Sequence, residues 1–301
     1  MKIKSINQLL TPTLLSLIVI MSCSKAPKPK SECVNPNCAT ISAPKGLTKI
    51  AETDTLLATP ESVIYDSEKD VAYVANINGQ PTNKDGNGFI SIINLDGKII
   101  TREWVKGFDA PKGMGIYNRH LFVTDINQVV EIDIEKGEIV NRFVAEKAQF
   151  LNDIAIDAAG TVFISDMLTN EIYRLKDSKL ELWLQSDKFK SINGLFIIEN
   201  QLLAGTSNII YSIDITTKEL KEYITETGGI DGLESVGNNK FIVSDWTGNI
   251  NIVSPNSPKE LLLSTADHKI NAADLDYILD KKLVLVPTFF DNRVMIYSYV
   301  E

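Results

Sequence analysis

One unit recurs six times along this chain, and the recurrence limits the fold more than any other feature does. Each copy is a short polar step, an apolar strand, a tight turn and a second apolar strand. The copies begin at Pro60-Glu61, Lys112-Gly113, Asn152-Asp153, Asn193-Gly194, Asp231-Gly232 and Ala273-Asp274. Successive copies lie 51, 40, 41, 38 and 42 residues apart, close to the period of a propeller blade. The pattern is plainest in Leu151 to Asp166, LNDIAIDAAGTVFISD. There IAID alternates, Ala-Gly-Thr turns, and VFIS alternates again. Glu171 to Leu175 and Leu180 to Gln185 supply a third and a fourth strand, which completes a blade. No long amphipathic helical pattern interrupts the series. The sequence therefore predicts an all-β, six-bladed β-propeller over residues 47–301. The last copy ends with Arg293 to Val300, and its outer partner is expected to be the early segment Leu47 to Leu57. A strand from each terminus then closes the ring and removes an exposed sheet edge.

The long first interval holds an insertion, Asn76 to Gly88, between the second and third strands of its blade. That turn belongs on the same face as the start of the first strand, beside the polar steps. Within it, Asn83-Lys84-Asp85-Gly86-Asn87-Gly88 imitates the first half of a calcium loop. Position twelve is Asn94 rather than Glu, so a Gly-rich surface turn is expected instead of an ion site.

Residues 1–23 read as an export signal. Lys2 and Lys4 are basic, and Leu14 to Met21 is apolar except for Ser16, a stretch too short to span a bilayer. Ile20-Met21-Ser22-Cys23 resembles a bacterial lipobox, with Met21 bulkier than usual, and makes Cys23 the expected lipidation site. An ordinary cleaved signal with a chance cysteine is the alternative. Residues 24–46, rich in Pro, Lys and Ser, are expected to form a flexible tether. Cys33 and Cys38 within it are either a local disulfide or two idle thiols. No further Cys or nearby His completes a zinc set. Residues 1–23 hold two lysines and no acids, so losing them deepens the formal charge from −9 to −11. Such an acidic chain is unsuited to nucleic acid or an anionic membrane face. The expectation is a monomer in the bacterial cell envelope, membrane-bound through its lipid alone. Ser24 after Cys23 favours the outer membrane, facing the periplasm.

The differences among the copies carry chemistry. Each leading residue precedes an innermost strand, so six of them converge at one mouth of the channel. Glu61, Asn152, Asn193 and Asp231 supply two carboxylates and two amides. Two negative charges match one divalent cation, and an all-oxygen set suits Ca²⁺ far better than Zn²⁺. Lys112 and Ala273 mark two blades expected to give no ligand. Taken singly, Asn-Gly and Asp-Gly are turn-forming pairs; Glu61, following Pro60 in the same frame, is not a turn residue. The two histidines, His120 and His268, stand apart from any ligand grouping, and no H-E-x-x-H or G-x-S-x-G element is present, so zincin and α/β-hydrolase chemistry lack support.

With these motifs the chain resembles the six-bladed propellers of the senescence marker protein, gluconolactonase and luciferin-regenerating enzyme group. The resemblance rests on Glu61 in ATPESVIYD, Asn152 in LNDIAID, Asn193 in INGLFII and Asp231 in IDGLESV. It implies that Glu61, Asn193 and Asp231 bind the metal and that Asn152 lines the substrate site or completes the coordination. The related diisopropyl fluorophosphatase and paraoxonase propellers use similar oxygen sets around calcium. Metal-assisted hydrolysis of a lactone or ester is the implied reaction, with Asp231 as general base or nucleophile. One departure stands out. Sugar-lactone members tend to carry an Arg two residues before the blade-three Asn, where this chain has Phe150. Phe150, Met167-Leu168, Trp246 and Phe289-Phe290 are expected either to give the pocket an apolar wall or to pack between blades. A non-catalytic, lipid-anchored binding propeller with a structural calcium is the rival expectation.

Overall fold

The structure is a computed structural model that describes residues 46–301; the expected signal, Cys23 and the Cys33/Cys38 pair lie outside the described residues. The alternating segments fold into six four-stranded antiparallel sheets. Blade 1 is Pro60–Asp66, Val71–Asn76, Gly88–Ile93 and Ile99–Phe108. Blade 2 is Pro111–Tyr117, His120–Asp125, Gln128–Asp133 and Glu138–Val144. Blade 3 is Leu151–Ile156, Val162–Asp166, Glu171–Lys176 and Lys179–Gln185. Blade 4 is Leu195–Ile198, Gln201–Gly205, Ile209–Asp214 and Leu220–Thr225. Blade 5 is Leu233–Gly237, Lys240–Ser244, Asn249–Ser254 and Ser257–Ser264. Blade 6 is Asp276–Ile278, Leu283–Pro287 and Val294–Val300, completed by Gly46–Glu52. The helical content of the described residues is two single-turn 3-10 segments, Ala266–His268 and Phe289–Asp291.

Ring closure follows the predicted route over a shorter span. Gly46–Glu52 pairs antiparallel with Val294–Val300, from Gly46 opposite Val300 to Glu52 opposite Met295. Residues 54–57 leave the ladder, whereas Thr53 still pairs with Val294, donating its N–H to Val294 O at 3.0 Å and accepting the Val294 N–H on its hydroxyl at 3.1 Å. On the channel side, Ser62 and Asp274 form a parallel bridge between the inner strands of blades 1 and 6.

The apolar core is divided among the six seams between neighbouring blades. Tyr73, Ile90, Met114 and Val123 pack blade 1 on blade 2. Val63, Val74, Leu285 and Ile296 pack blade 1 on blade 6. Outer-strand tryptophans reach back over these seams, with Trp104 stacked on Tyr73 at 4.8 Å and Trp183 edge-on to Phe163 at 4.8 Å. Each such side chain stabilises the folded state by roughly 1.5–3 kcal/mol when fully buried. The two-residue alternation therefore serves both faces of every blade.

The glycines of the repeated step are there for space rather than for turns. Gly113, Gly194 and Gly232 are absent from the left-handed backbone region. A Cβ on Gly194 would stand 2.5 Å from Asp231 O, and one on Gly232 2.5 Å from Leu275 N. At these points the inner strand of one blade runs against the backbone of the next, and only a hydrogen fits.

Candidate functional site

The polar steps face the channel because the ladder is bulged at each of them. The pairing register shifts between Pro60 and Ser62, between Pro111 and Met114, and between Leu151 and Ile154. Blades 4 and 5 repeat the device: Gly205 O accepts from Asn193 N while Gly205 N donates to Gly194 O, and Ser244 bonds Asp231 and Gly232 likewise. A bulge places two residues opposite one and re-aims a side chain. Hydroxyls on second strands hold these steps in place, in the same blade or the next. Thr124 donates to Asn152 O at 2.6 Å, Ser165 accepts from Asp153 N at 3.0 Å, and Ser244 donates to Ala273 O at 2.7 Å.

The four expected ligands do converge. Glu61, Asn152, Asn193 and Asp231 line one cavity of about 280 Å³, together with Ile77, Pro81, Lys112, Phe150, Met167, Trp246 and Phe289. All four are buried. Asn193 Nδ2 donates to Asp231 Oδ1 at 2.6 Å. The remaining oxygens, Glu61 Oε2 and Asp231 Oδ2, are buried without a hydrogen-bond partner. Burial is the main force on both acids. It raises the Glu61 carboxyl well above the usual range, with the Asp231 charge adding to it, and pushes Asp231 up to about 7.

Two orphaned carboxylate oxygens are costly in a protein interior, and a cation at the mouth would satisfy both. The donor set fits a hard divalent ion, with Asn152 and Asn193 able to add amide oxygens. Among the described residues no group of three or more His, Cys, Asp or Glu is arranged to hold a metal. A cation here therefore depends on the amides.

The apolar wall is present in part. Phe150, Met167, Trp246 and Phe289 line the cavity, whereas Leu168 and Phe290 are exposed. Trp246 and Phe289 meet edge-on at 5.3 Å. Both hold left-handed backbone, with φ of 61° and 49°. That conformation is uncommon for bulky residues and concentrates at functional sites. Pro81 brings the blade-1 insertion to the rim. Its Gly-rich run behaves as the expected surface turn, with Gly86 N donating to Asp109 Oδ1 at 3.0 Å and Lys84 Nζ donating to Asn127 Oδ1 at 2.7 Å.

Lys112 has a place that the sequence did not disclose. Blade 2 adds no oxygen ligand, but its lysine enters the pocket. Only 1% exposed, Lys112 donates from Nζ to Ala110 O at 2.9 Å and lies 4.4 Å from the Phe150 ring centroid. Burial pulls its pKa down to about 8, against the opposing pull of the Glu61 charge. Phe150, where the resemblance led to an expected arginine, thus carries a cation from the neighbouring blade over its ring.

Sequence reasoning missed the acids below the mouth. Asp153 Oδ2 accepts from Leu195 N at 2.6 Å, Asp274 Oδ2 from the Ser62 hydroxyl at 2.7 Å, and Asp276 Oδ2 from Tyr65 N at 2.7 Å. Burial raises all three, Asp153 to about 7 and Asp276 to about 6. At the far end Glu234 lines a recess with Ile64, Ile116, Ile156 and Ile197. A signal existed in the second residue of each step. It is glycine in blades 2, 4 and 5, but Ser62, Asp153 and Asp274 elsewhere.

No protein-family model matches this chain, and no curated protein matches it either. Solved structures do. A candidate gluconolactonase aligns with a TM-score of 0.62 at 14% identity, covering 85% of this chain and 93% of its own. A streptogramin B lyase aligns at 0.61 and 12% identity, covering 84% and 97%. A catalytically inactive virginiamycin B lyase from Staphylococcus aureus, solved with quinupristin, aligns at 0.59 and 13%, covering 84% and 99%. Identities this low speak to fold. The described chain is a six-bladed propeller sharing its architecture with a candidate gluconolactonase, as its motifs implied, and with streptogramin B lyases.

Proposed function

We propose that this propeller is a metal-dependent hydrolase of a lactone or similar ester, with calcium or another divalent cation held by Glu61, Asp231, Asn193 and Asn152. The observation that carries the proposal is the pair of orphaned oxygens, Glu61 Oε2 and Asp231 Oδ2, buried at the same cavity. When bound, such a cation supplies Lewis-acid polarisation of a carbonyl oxygen. The chain's own residues do the rest. Asp231 takes a proton from water, or attacks as nucleophile, from a position fixed by Asn193. Asn152 orients the ligand, and Phe150, Met167, Trp246 and Phe289 exclude bulk water, which strengthens every charge interaction inside. The apolar wall favours a hydrophobic acyl group over a sugar acid.

Turnover of a lactone and aryl-ester panel by the purified protein, with and without EDTA, tests this. Asp231→Ala should lose at least about 100-fold in kcat/KM. Metal-independent turnover, or full activity in the variant, sinks the assignment. Calcium binding with no turnover on any substrate would favour the non-catalytic binding propeller. The inactive virginiamycin B lyase carries a histidine-to-alanine change; lyase chemistry of that type has less support here, because His120 pairs with Glu131 on blade 2 and His268 sits in a 3-10 turn, and neither lines the cavity. The envelope placement also belongs to this proposal. Cys23→Ala should move the protein from the membrane to the soluble fraction, and unchanged membrane association would refute the lipid anchor.

A further inference from the structure

Lys112 is costly as the chain stands. Its ammonium carries three donors, and the hydrogen-bond acceptor it has among the described residues is Ala110 O. Phe150 offers its ring face, an attraction of roughly 0.5–2 kcal/mol. No carboxylate among the described residues makes an ion pair with Lys112. Glu61 and the buried Asp125 are near enough to favour its charged form without forming an ion pair with it. A buried charge lacking a counter-ion is rare unless something supplies one. Packing does not explain the choice, since a methionine would fill the same volume against Phe150 at no electrostatic cost. The lysine lines the cavity whose other walls are Ile77, Pro81, Met167, Trp246 and Phe289. A divalent cation balances Glu61 and Asp231 and leaves the Lys112 charge over.

We propose that Lys112 is the anion-recognition residue of this pocket, and that the pocket takes a small, largely apolar molecule bearing one carboxylate, which Lys112 binds. The inference rests on the cavity being the ligand site of the proposed function. It requires neither turnover nor a particular metal. The carboxylate supplies the counter-ion, the aromatic wall covers the apolar body, and the ammonium stays fixed by Ala110 O and Phe150. A neutral ester lacking the carboxylate leaves the ammonium unpaired and should bind more weakly.

Calorimetric titration of the full chain with 4-phenylbutyrate and with neutral 4-phenylbutanamide, in EDTA and in calcium, tests the assignment. Wild type should prefer the carboxylate by about tenfold or more, the worth of a charge-assisted hydrogen bond. Lys112→Met should abolish that preference and still bind the amide. Lys112→Arg should keep part of it, and reports on the pocket if the methionine variant fails to fold. Equal affinity of wild type for the two probes overturns the proposal. So does a preference that survives in Lys112→Met, or binding of neither probe at millimolar concentration. A Lys112-dependent preference in a protein with no esterase activity would uphold this inference and sink the hydrolase.

Discussion

Glu61 and Asp231 each keep a buried oxygen without a hydrogen-bond partner, and this makes them informative residues to change. In EDTA, Glu61→Gln or Asp231→Asn should stabilise the protein by about 1–3 kcal/mol, because each removes a buried unpaired carboxylate. Calcium should raise the Tm of wild type, and both variants should lose that rise. Thermal unfolding with and without the ion measures this, and destabilised variants that still respond to calcium would contradict the ligand assignment. The pH response has a definite sign. Burial pushes Asp153 and Asp231 up to about 7, against ~3.9 for an unperturbed Asp. The folded form therefore keeps protons that the unfolded form releases above about pH 4. Stability from these groups is full below that pH and lost as pH rises through about 7. Calcium needs the ionised carboxylates, so its effect on Tm should be larger near pH 7.5 than near pH 5. An equal or larger effect at the lower pH would refute this.

At the scale of the element, the inner strands explain what the sequence could and could not disclose. Their alternation and spacing were legible, because a strand with two packed faces writes its period into every second residue. The four polar residues that meet at the cavity were legible too, as polar residues recurring in one frame. The reason for the glycines was not. Asn-Gly and Asp-Gly carry the same letters whether the glycine turns the chain or makes room for the adjacent blade. Gly194→Ala should destabilise by about 1–3 kcal/mol through overpacking against Asp231 O, read by chemical denaturation, whereas a plain turn glycine with ordinary φ would tolerate alanine. The pocket position of Lys112 was also hidden. A lysine heading a strand normally marks a solvated end, and only the bulge between Pro111 and Met114 turns it inward. Asp153 and Asp274 were obscured for a similar reason, since Asp153 follows a residue already given a role and Asp274 follows an alanine expected to give none.

For the whole molecule, the decisive feature is the blade that joins both ends of the chain. Six seams of comparable apolar content make the ring cooperative, and the seam between blades 6 and 1 depends on Gly46–Glu52 staying in its ladder. A chain beginning at Thr53 should unfold at markedly lower denaturant concentration and tend to self-associate through the bared edge of Val294–Val300. Unfolding curves and light scattering would show both; an unchanged midpoint with no association would refute it. Register also fixes how this seam bears tension. Third strands start at the mouth side, so Val300 and its partner Gly46 lie at the opposite face. A pull on Gly46 enters this ladder at its last rung and loads the Gly46–Glu52 pairs before those of any other blade. A tethered propeller of this design would yield first at its closing strand, from the side away from the ligand, while the other five blades carry little of the load.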